Sequence, residues 1–226
     1  MKKQEPQEIK VLRAKRKRQI KRDLILEVAQ KAFIEHGYDN TMVDQIALEA
    51  GYTKATLYKY FESKEDLFAG ILSKIYVEMH DSFVNYLSKP RKSSGLLTVG
   101  NAYLEFVSQH QGEAALLDSG RCVTINRTII RKEELNQPLT ESEEEFHKNE
   151  TKAGMVIMNL LAHSLQEFGV ENKMKPEKLI KILSAFMPTI RELIRRGNVA
   201  GQSVREIRST LSILFKIIEQ GVKHYE

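Results

Sequence analysis

Between Lys10 and Arg22 the chain carries eight lysines and arginines and no acid. Clustered cations of this kind gain free energy by releasing the counterions condensed on a phosphate backbone, so the first chemistry to consider is recognition of a polyanion. Two other readings stay open at this point: a solvated basic tail, or a helix lying on a membrane surface. Against the membrane, the run lacks Trp and Phe and offers only Ile9, Val11, Leu12 and Ile20 as apolar contacts. Residues suited to covalent or metal chemistry are sparse. His36, His80, His110, His147, His163 and His224 are scattered without the i, i+4 spacing of a zinc helix. No Gly-rich phosphate loop, nucleophile elbow or paired catalytic signature occurs, so neither an enzyme, a cofactor nor a metal is expected. Cys122 is the only cysteine, which excludes an intrachain disulfide and a multi-cysteine metal site. It reads either as an inert buried thiol or, beside the cation of Arg121, as a redox sensor with a lowered pKa.

The distribution of charge sharpens the first reading. Of the 226 residues, the first 61 hold 13 Lys and Arg against 8 Asp and Glu, and the remainder hold 22 of each, so the whole net charge of +5 sits in the first quarter. An apolar fraction of 42% with 29% charged residues is ordinary for a soluble globular protein. No segment approaches the ~18 uninterrupted apolar residues of a membrane span, and the basic N-terminus is followed by no apolar stretch or cleavage site. A cytoplasmic protein without membrane contact is expected.

The elements that must position these residues are helical nearly end to end. From Ile20, Leu24, Val28 and Ala32 recur every fourth residue, flanked by Ile25, Ala29 and Phe33, and Gly37 stands where a glycine would end the helix. Thr41, three residues before Asp44, suits the N-cap of a short helix with Val43, Ile46, Ala47 and Ala50 on its apolar stripe. Gly51 breaks it, and Thr53 can cap a further helix running from Lys54 to Phe61. Two short helices about a glycine turn spell helix-turn-helix. Ser63 with Asp66 opens the next helix, which buries Leu67, Phe68, Ile71, Leu72, Ile75 and Met79 and ends near Lys89, before Pro90.

Beyond a loop from Arg91 to Gly95, a helical pattern resumes from Leu96 to His110, and a weaker one spans Gly112 to Arg131. Pro138 and the acidic run Glu141, Glu143, Glu144 and Glu145 suggest a solvated loop feeding a long helix to about Phe168. Pro176 fits the first position of the following helix, Pro188 should kink it, and Gly197 should end it. Ser203 then caps the last helix. There Val204, Ile207, Leu211, Leu214, Ile218 and Val222 form a coiled-coil-like seam, with Ile213, Phe215 and Ile217 as a second apolar face. Two apolar faces call for two partners. Either one is a second subunit across a two-fold axis, or both are supplied within the chain. The candidate dimer contacts are Leu183, Ile190, Leu193, Ile207, Leu211, Leu214 and Ile218.

Thr41, Val43, Ile46, Ala47, Ala50, Gly51 and Tyr52, followed by Thr56, Leu57, Tyr58, Tyr60, Phe61, Ser63, Lys64 and Leu67, closely resemble the helix-turn-helix signature of the TetR/AcrR family of transcriptional regulators. The resemblance covers roughly residues 20–70. It implies an all-α homodimer of about nine helices, with a basic arm over 1–19, a DNA-binding domain over 20–66 and a ligand-binding and dimerisation domain over 67–226. Leu57 and Phe61, four apart, should anchor the recognition helix. Lys54, Ala55, Thr56 and Tyr58 should face the major groove, ~12 Å wide: Lys54 suits a guanine edge, Ala55 and Tyr58 a thymine methyl, Thr56 a base or phosphate. Thr53 precedes them at the cap. The positions matching Thr41, Tyr60 and Lys64 contact phosphates in the family, and Tyr60 departs from a common His while keeping a donor. Lys59 is either a further contact or solvated.

In some relatives a basic extension enters the adjacent minor groove, for which Arg13, Lys15, Arg16, Lys17 and Arg18 are candidates here. The resemblance also implies a small-molecule effector, with Phe106, His110, Cys122, Asn126, Met155, Met158, His163 and Phe186 on segments that line the family's cavity. The expected function is repression relieved when the effector leaves the recognition helices wrongly spaced. The alternative is a DNA-bound architectural or division-control factor without an effector.

Overall fold

The computed structural model describes residues 7–89, 95–199 and 204–224, and their side chains except those of 186–190, 195, 197–199, 204 and 205. Within them the expected all-α fold is found as ten helices, with no strand.

α1 (Gln7–His36) starts well before Ile20 and takes in the basic run. Its 30 residues contain neither Gly nor Pro and are rich in Lys, Arg, Leu, Gln and Ala, all good helix formers. The segment expected as an arm is therefore the exposed N-terminal part of a long helix. The buried face is also rotated from the expected stripe: Arg22, Ile25, Leu26, Ala29, Ala32 and Phe33 point inward, whereas Ile20 and Leu24 are exposed. The glycine turn at Gly37 has φ +78°, a conformation that costs little without a Cβ.

α2 (Val43–Glu49) and α3 (Lys54–Leu57) are joined through Gly51, whose φ is +75°. Thr41 does not cap α2. Met42 occupies that position without a side-chain bond, while the buried Thr41 hydroxyl lies 2.7 Å from the Gly37 carbonyl oxygen and 3.2 Å from that of Ala32. The residue type is that of a cap, but its hydroxyl secures the end of α1. Thr53 caps α3 as expected, accepting from the Thr56 N–H at 3.2 Å. α3 itself is one turn. Hydrogen bonds from the Lys59, Tyr60 and Phe61 N–H groups back to Thr56 and Leu57 carry its winding onward to Phe61.

α4 (Lys64–Ser88) is capped by Ser63 and forms the principal helix pair of the body with α8 (Glu141–Glu167). α5 (Gly95–Gln109) lies against both, and Gly100 on it receives the ring of Phe215. The pattern expected as one helix from Gly112 to Arg131 is two, α6 (Gln111–Leu117) and α7 (Gly120–Glu134), separated where Ser119 caps α7. The acidic run is no loop. Thr140 and Glu143 form a capping box, which places Glu141, Glu143 and Glu144 in the first turn of α8, where the helix dipole favours negative charge.

α9 (Pro176–Val199) starts at Pro176 as expected but continues through Gly197, and α10 (Val204–Lys223) closes the fold. Of the expected loop from Arg91 to Gly95, Gly95 instead opens α5, and residues 91–94, the Ser203 cap and the Pro188 side chain lie outside the described residues. On α10, Ile207, Leu211, Phe215 and Val222 are buried within the chain, while Ile213 and Ile217 remain 60% and 64% exposed.

Candidate nucleic-acid interface

The helix-turn-helix stands on Leu57 and Phe61, both fully buried with Ile46 and Ala47 beneath them. Over this base the chain exposes Thr53, Lys54, Ala55, Tyr58 and Lys59, with Thr56 and Tyr60 half-buried. Lys54 Nζ lies 2.9 Å from Asp44 Oδ2, so α2 and α3 are pinned by an ion pair, and that contact raises the Lys54 pKa. The ammonium spends one donor on Asp44 and keeps two for a base edge.

The exposed start of α1 runs beside the recognition segment. Arg18 sits over the Tyr60 ring at 5.6 Å and Lys21 over Tyr52 at 5.8 Å. Ala14, Lys17, Arg18, Lys21, Lys59 and Tyr60 line one open groove. Arg18, Lys59 and Tyr60 are thus brought together, and Arg16 lies on the exposed part of the same helix. Two expected contacts are placed differently. Thr41 is buried with its hydroxyl engaged. Lys64 Nζ lies over the Tyr38 ring at 4.4 Å, with burial lowering its pKa. Arg121 approaches the same ring at 4.7 Å and pairs with Asp39 at 2.5 Å.

Head and body are tied by polar contacts. Arg22, 2% exposed, donates to Ser142 at 3.0 Å and pairs with Glu145 at 2.8 Å, and Arg18 pairs with Glu141 at 2.8 Å. Lys132 holds Glu143 at 2.6 Å. The acidic run expected to be solvated is largely spent on these partners. Gly70 marks the close approach: a Cβ there would stand 2.9 Å from Leu26 and 3.3 Å from Ser142.

Within the body, α4, α5, α8, α9 and the end of α6 line a cavity of about 270 Å³, with Tyr76, Phe83, Tyr103, Asp118, Ile157 and Leu183 on its wall. Asp118 is paired with Arg191, and burial raises its carboxyl pKa against that cation. None of the seven expected ligand residues whose side chains are described lines this cavity. Phe106 is core and stacks on His110 at 5.1 Å; Asn126 and Met158 are half-buried elsewhere; Met155 and His163 are exposed; the Phe186 side chain is outside the described residues. The usable signal was the spacing of Tyr76, Met79 and Phe83, three and four apart on the buried face of α4. Cys122 lies one layer behind, bonded to Tyr76. Burial pushes its thiol up to about 11, as the inert buried reading requires and the redox-sensor reading does not, and Arg121 is turned toward Asp39.

The dimer candidates divide in the same way. Leu183, Ile207 and Leu211 are buried inside the single chain, Leu193, Leu214 and Ile218 are half-buried, and Ile190 is outside the described side chains. No described helix is long and apolar enough to cross a membrane.

Residues 25–71 match the family model of bacterial regulatory proteins, tetR family. Over 59 residues the chain is 41% identical to YhgD of Bacillus subtilis, an uncharacterized HTH-type transcriptional regulator, covering 26% of this chain and 31% of that one. Over 53 residues it is 36% identical to the HTH-type transcriptional repressor BepR of Brucella suis, covering 24% and 25%. The matched stretches therefore span less than a third of the length of these regulators. FadR of Bacillus subtilis, solved in complex with stearoyl-CoA, aligns over 85% of this chain and 96% of that one, with a TM-score of 0.53 and 16% identity. At that identity the likeness is one of fold.

Proposed function

From the match of residues 25–71 to the tetR family of bacterial regulatory proteins, we propose a dimeric, sequence-specific transcriptional repressor of that family that a small molecule releases from its operator. The observation that carries the reading is the exposed face of Lys54, Ala55 and Tyr58, held over buried Leu57 and Phe61 and flanked by the basic groove of α1. In this reading Lys54, Ala55, Thr56 and Tyr58 read base edges, while Arg16, Lys17, Arg18, Lys59 and Tyr60 hold phosphates. The start of α1 serves as the arm, residues 20–66 as the head and 67–226 as the body. A helix ~10–12 Å across does not enter a minor groove ~6 Å wide, so α1 follows the phosphate backbone instead.

Dimerisation is assigned to the exposed face of α10, where Ile213 and Ile217 find no cover among the described residues. The effector site is the cavity between α4, α5, α6, α8 and α9. Its volume of about 270 Å³ falls below the roughly 300–1,000 Å³ usual for drug-sized ligands. A small apolar molecule with one polar end facing Asp118, itself held by Arg191, fits, as does the end of an acyl chain; a whole acyl-CoA such as that in the FadR complex does not. Filling it moves α4, which leads directly into the head, and so changes the spacing of two recognition segments that must stand about 34–36 Å apart.

The test is binding to a DNA library followed by titration of the selected site. Lys54→Ala and Tyr58→Ala should relax base preference, whereas Lys17→Ala should weaken all sequences alike and lower the salt slope. Uniform loss for all three variants would refute the assignment of base readers.

A further inference from the structure

Away from the DNA-facing groove and the cavity, three separate stretches meet. Glu78 of α4, His110 at the α5–α6 junction and Glu113 of α6 each offer a ligand atom, and these atoms lie within 4.8 Å of one another. The imidazole does not complete the arrangement by itself. His110 Nδ1 stands 3.7 Å from Glu78 Oε2, beyond hydrogen-bonding distance, and that oxygen is buried with no hydrogen-bond partner. Two carboxylates thus converge beside one imidazole, a set whose carboxylate repulsion a dication relieves.

The surroundings orient the ligand groups as a metal site requires. The His110 ring is stacked on Phe106 with an interplanar angle of 18°, and Gln30 of α1 donates to Glu113 Oε1 at 3.2 Å. The adjoining open groove adds Asp81 and Glu105, and Lys89 within it is paired to Glu105 at 2.7 Å. The side chains of His110 and Glu78 are 32% and 36% exposed, which leaves an entry path.

We propose that Glu78, His110 and Glu113 form a binding site for one first-row divalent cation, Zn²⁺ or Mn²⁺, with water completing the coordination. One imidazole nitrogen with two carboxylates suits these ions better than Mg²⁺ or Ca²⁺, which favour all-oxygen shells. Bonds of ~2.0–2.2 Å require the three groups to close by on the order of 1 Å, within reach of side-chain rotation. The ion ties α4 to α6 where α6 bears on α1: a Cβ on Gly112 would stand 2.6 Å from Ile34. A filled site therefore fixes the longest helix of the head against the body.

Calorimetric titration of the metal-free full chain with ZnCl₂ and with MnCl₂, in the absence of DNA, tests the site independently of the regulatory reading. One ion per chain is expected for at least one of the two, with a rise in Tm on binding. Glu113→Gln and His110→Gln should each weaken that step roughly tenfold or more, while His163→Gln leaves it unchanged. Circular dichroism checks that the variants are folded, and the isosteric Glu113→Gln retains the shape of the site. Absence of stoichiometric binding by both ions, or binding that survives both substitutions, would overturn the proposal.

Discussion

The Arg22 guanidinium lies 2.8 Å from Glu145 Oε2 and over the ring of Phe61 at 5.3 Å, although Arg22 is 2% exposed and Glu145 is 40% exposed at the side chain. Its cation is thus buried at the seam between head and body, where Nη2 is held by the first turns of α8 while the buried Nε finds no hydrogen-bond partner. Truncating Arg22 removes packing and charge together, whereas neutralising Glu145 leaves Ser142 as a partner. Arg22→Ala should cost about 2–4 kcal/mol and Glu145→Gln about 1 kcal/mol. Urea unfolding at fixed protein concentration measures both, and equal losses would contradict this ordering.

Arg18 faces a competition. Glu141 holds it at 2.8 Å with both side chains nearly half exposed, and the same guanidinium borders the basic groove. Glu141→Gln should free it for phosphate. The log–log salt dependence of DNA binding should then steepen by about 0.9, the contribution of one further phosphate contact, while base preference stays unchanged. Electrophoretic titrations at several salt concentrations provide the measurement.

The thiol of Cys122 should behave as an inert group. With its pKa raised from 9.0 to about 11 by burial, the folded chain keeps a proton that the unfolded chain loses. Stability from this site is complete below pH 9 and erodes as pH rises toward 11. Alkylation by iodoacetamide at pH 8 should accordingly be slow in the native protein and fast in urea. A native rate matching the unfolded one would restore the redox-sensor reading.

Ile213 and Ile217 provide the test of assembly. Ile213→Glu with Ile217→Glu should shift the protein from dimer to monomer in analytical ultracentrifugation with helicity retained, since both side chains face outward. Leu211→Glu should instead unfold the chain, because Leu211 is 2% exposed within it.

The all-α class, the helix-turn-helix, the Thr53 and Ser63 caps and the Leu57 and Phe61 anchors were legible because each depends on contacts a few residues apart. What was misread depends on distant partners. Thr41 has the residue type of a cap, and only the turn of Gly37 back onto α1 brings carbonyls to its hydroxyl. Glu141 and Glu145 read as solvent-facing because Arg18 and Arg22 lie more than a hundred residues away in the chain. Which apolar face of α10 is inward was undecidable from periodicity, since Ile207 with Leu211 and Ile213 with Ile217 have the same i, i+4 spacing. The cavity wall escaped for the same reason: five helices build it and no one of them marks it.

The run of α4 through the expected 66/67 boundary bears on how this head can be transplanted. Phe68 lies past that boundary, yet its ring meets Phe33 at 5.4 Å and Tyr38 at 5.1 Å, and Leu67 and Ile71 are fully buried. A chimera cut after residue 66 would leave an open gap under α1, and one cut beyond Ile71 would still strand Arg22 without Glu145. The recognition segment is therefore not an exchangeable cassette. A graft that keeps operator specificity has to import the matching start of α8, or redesign the seam so that it no longer needs an acid there.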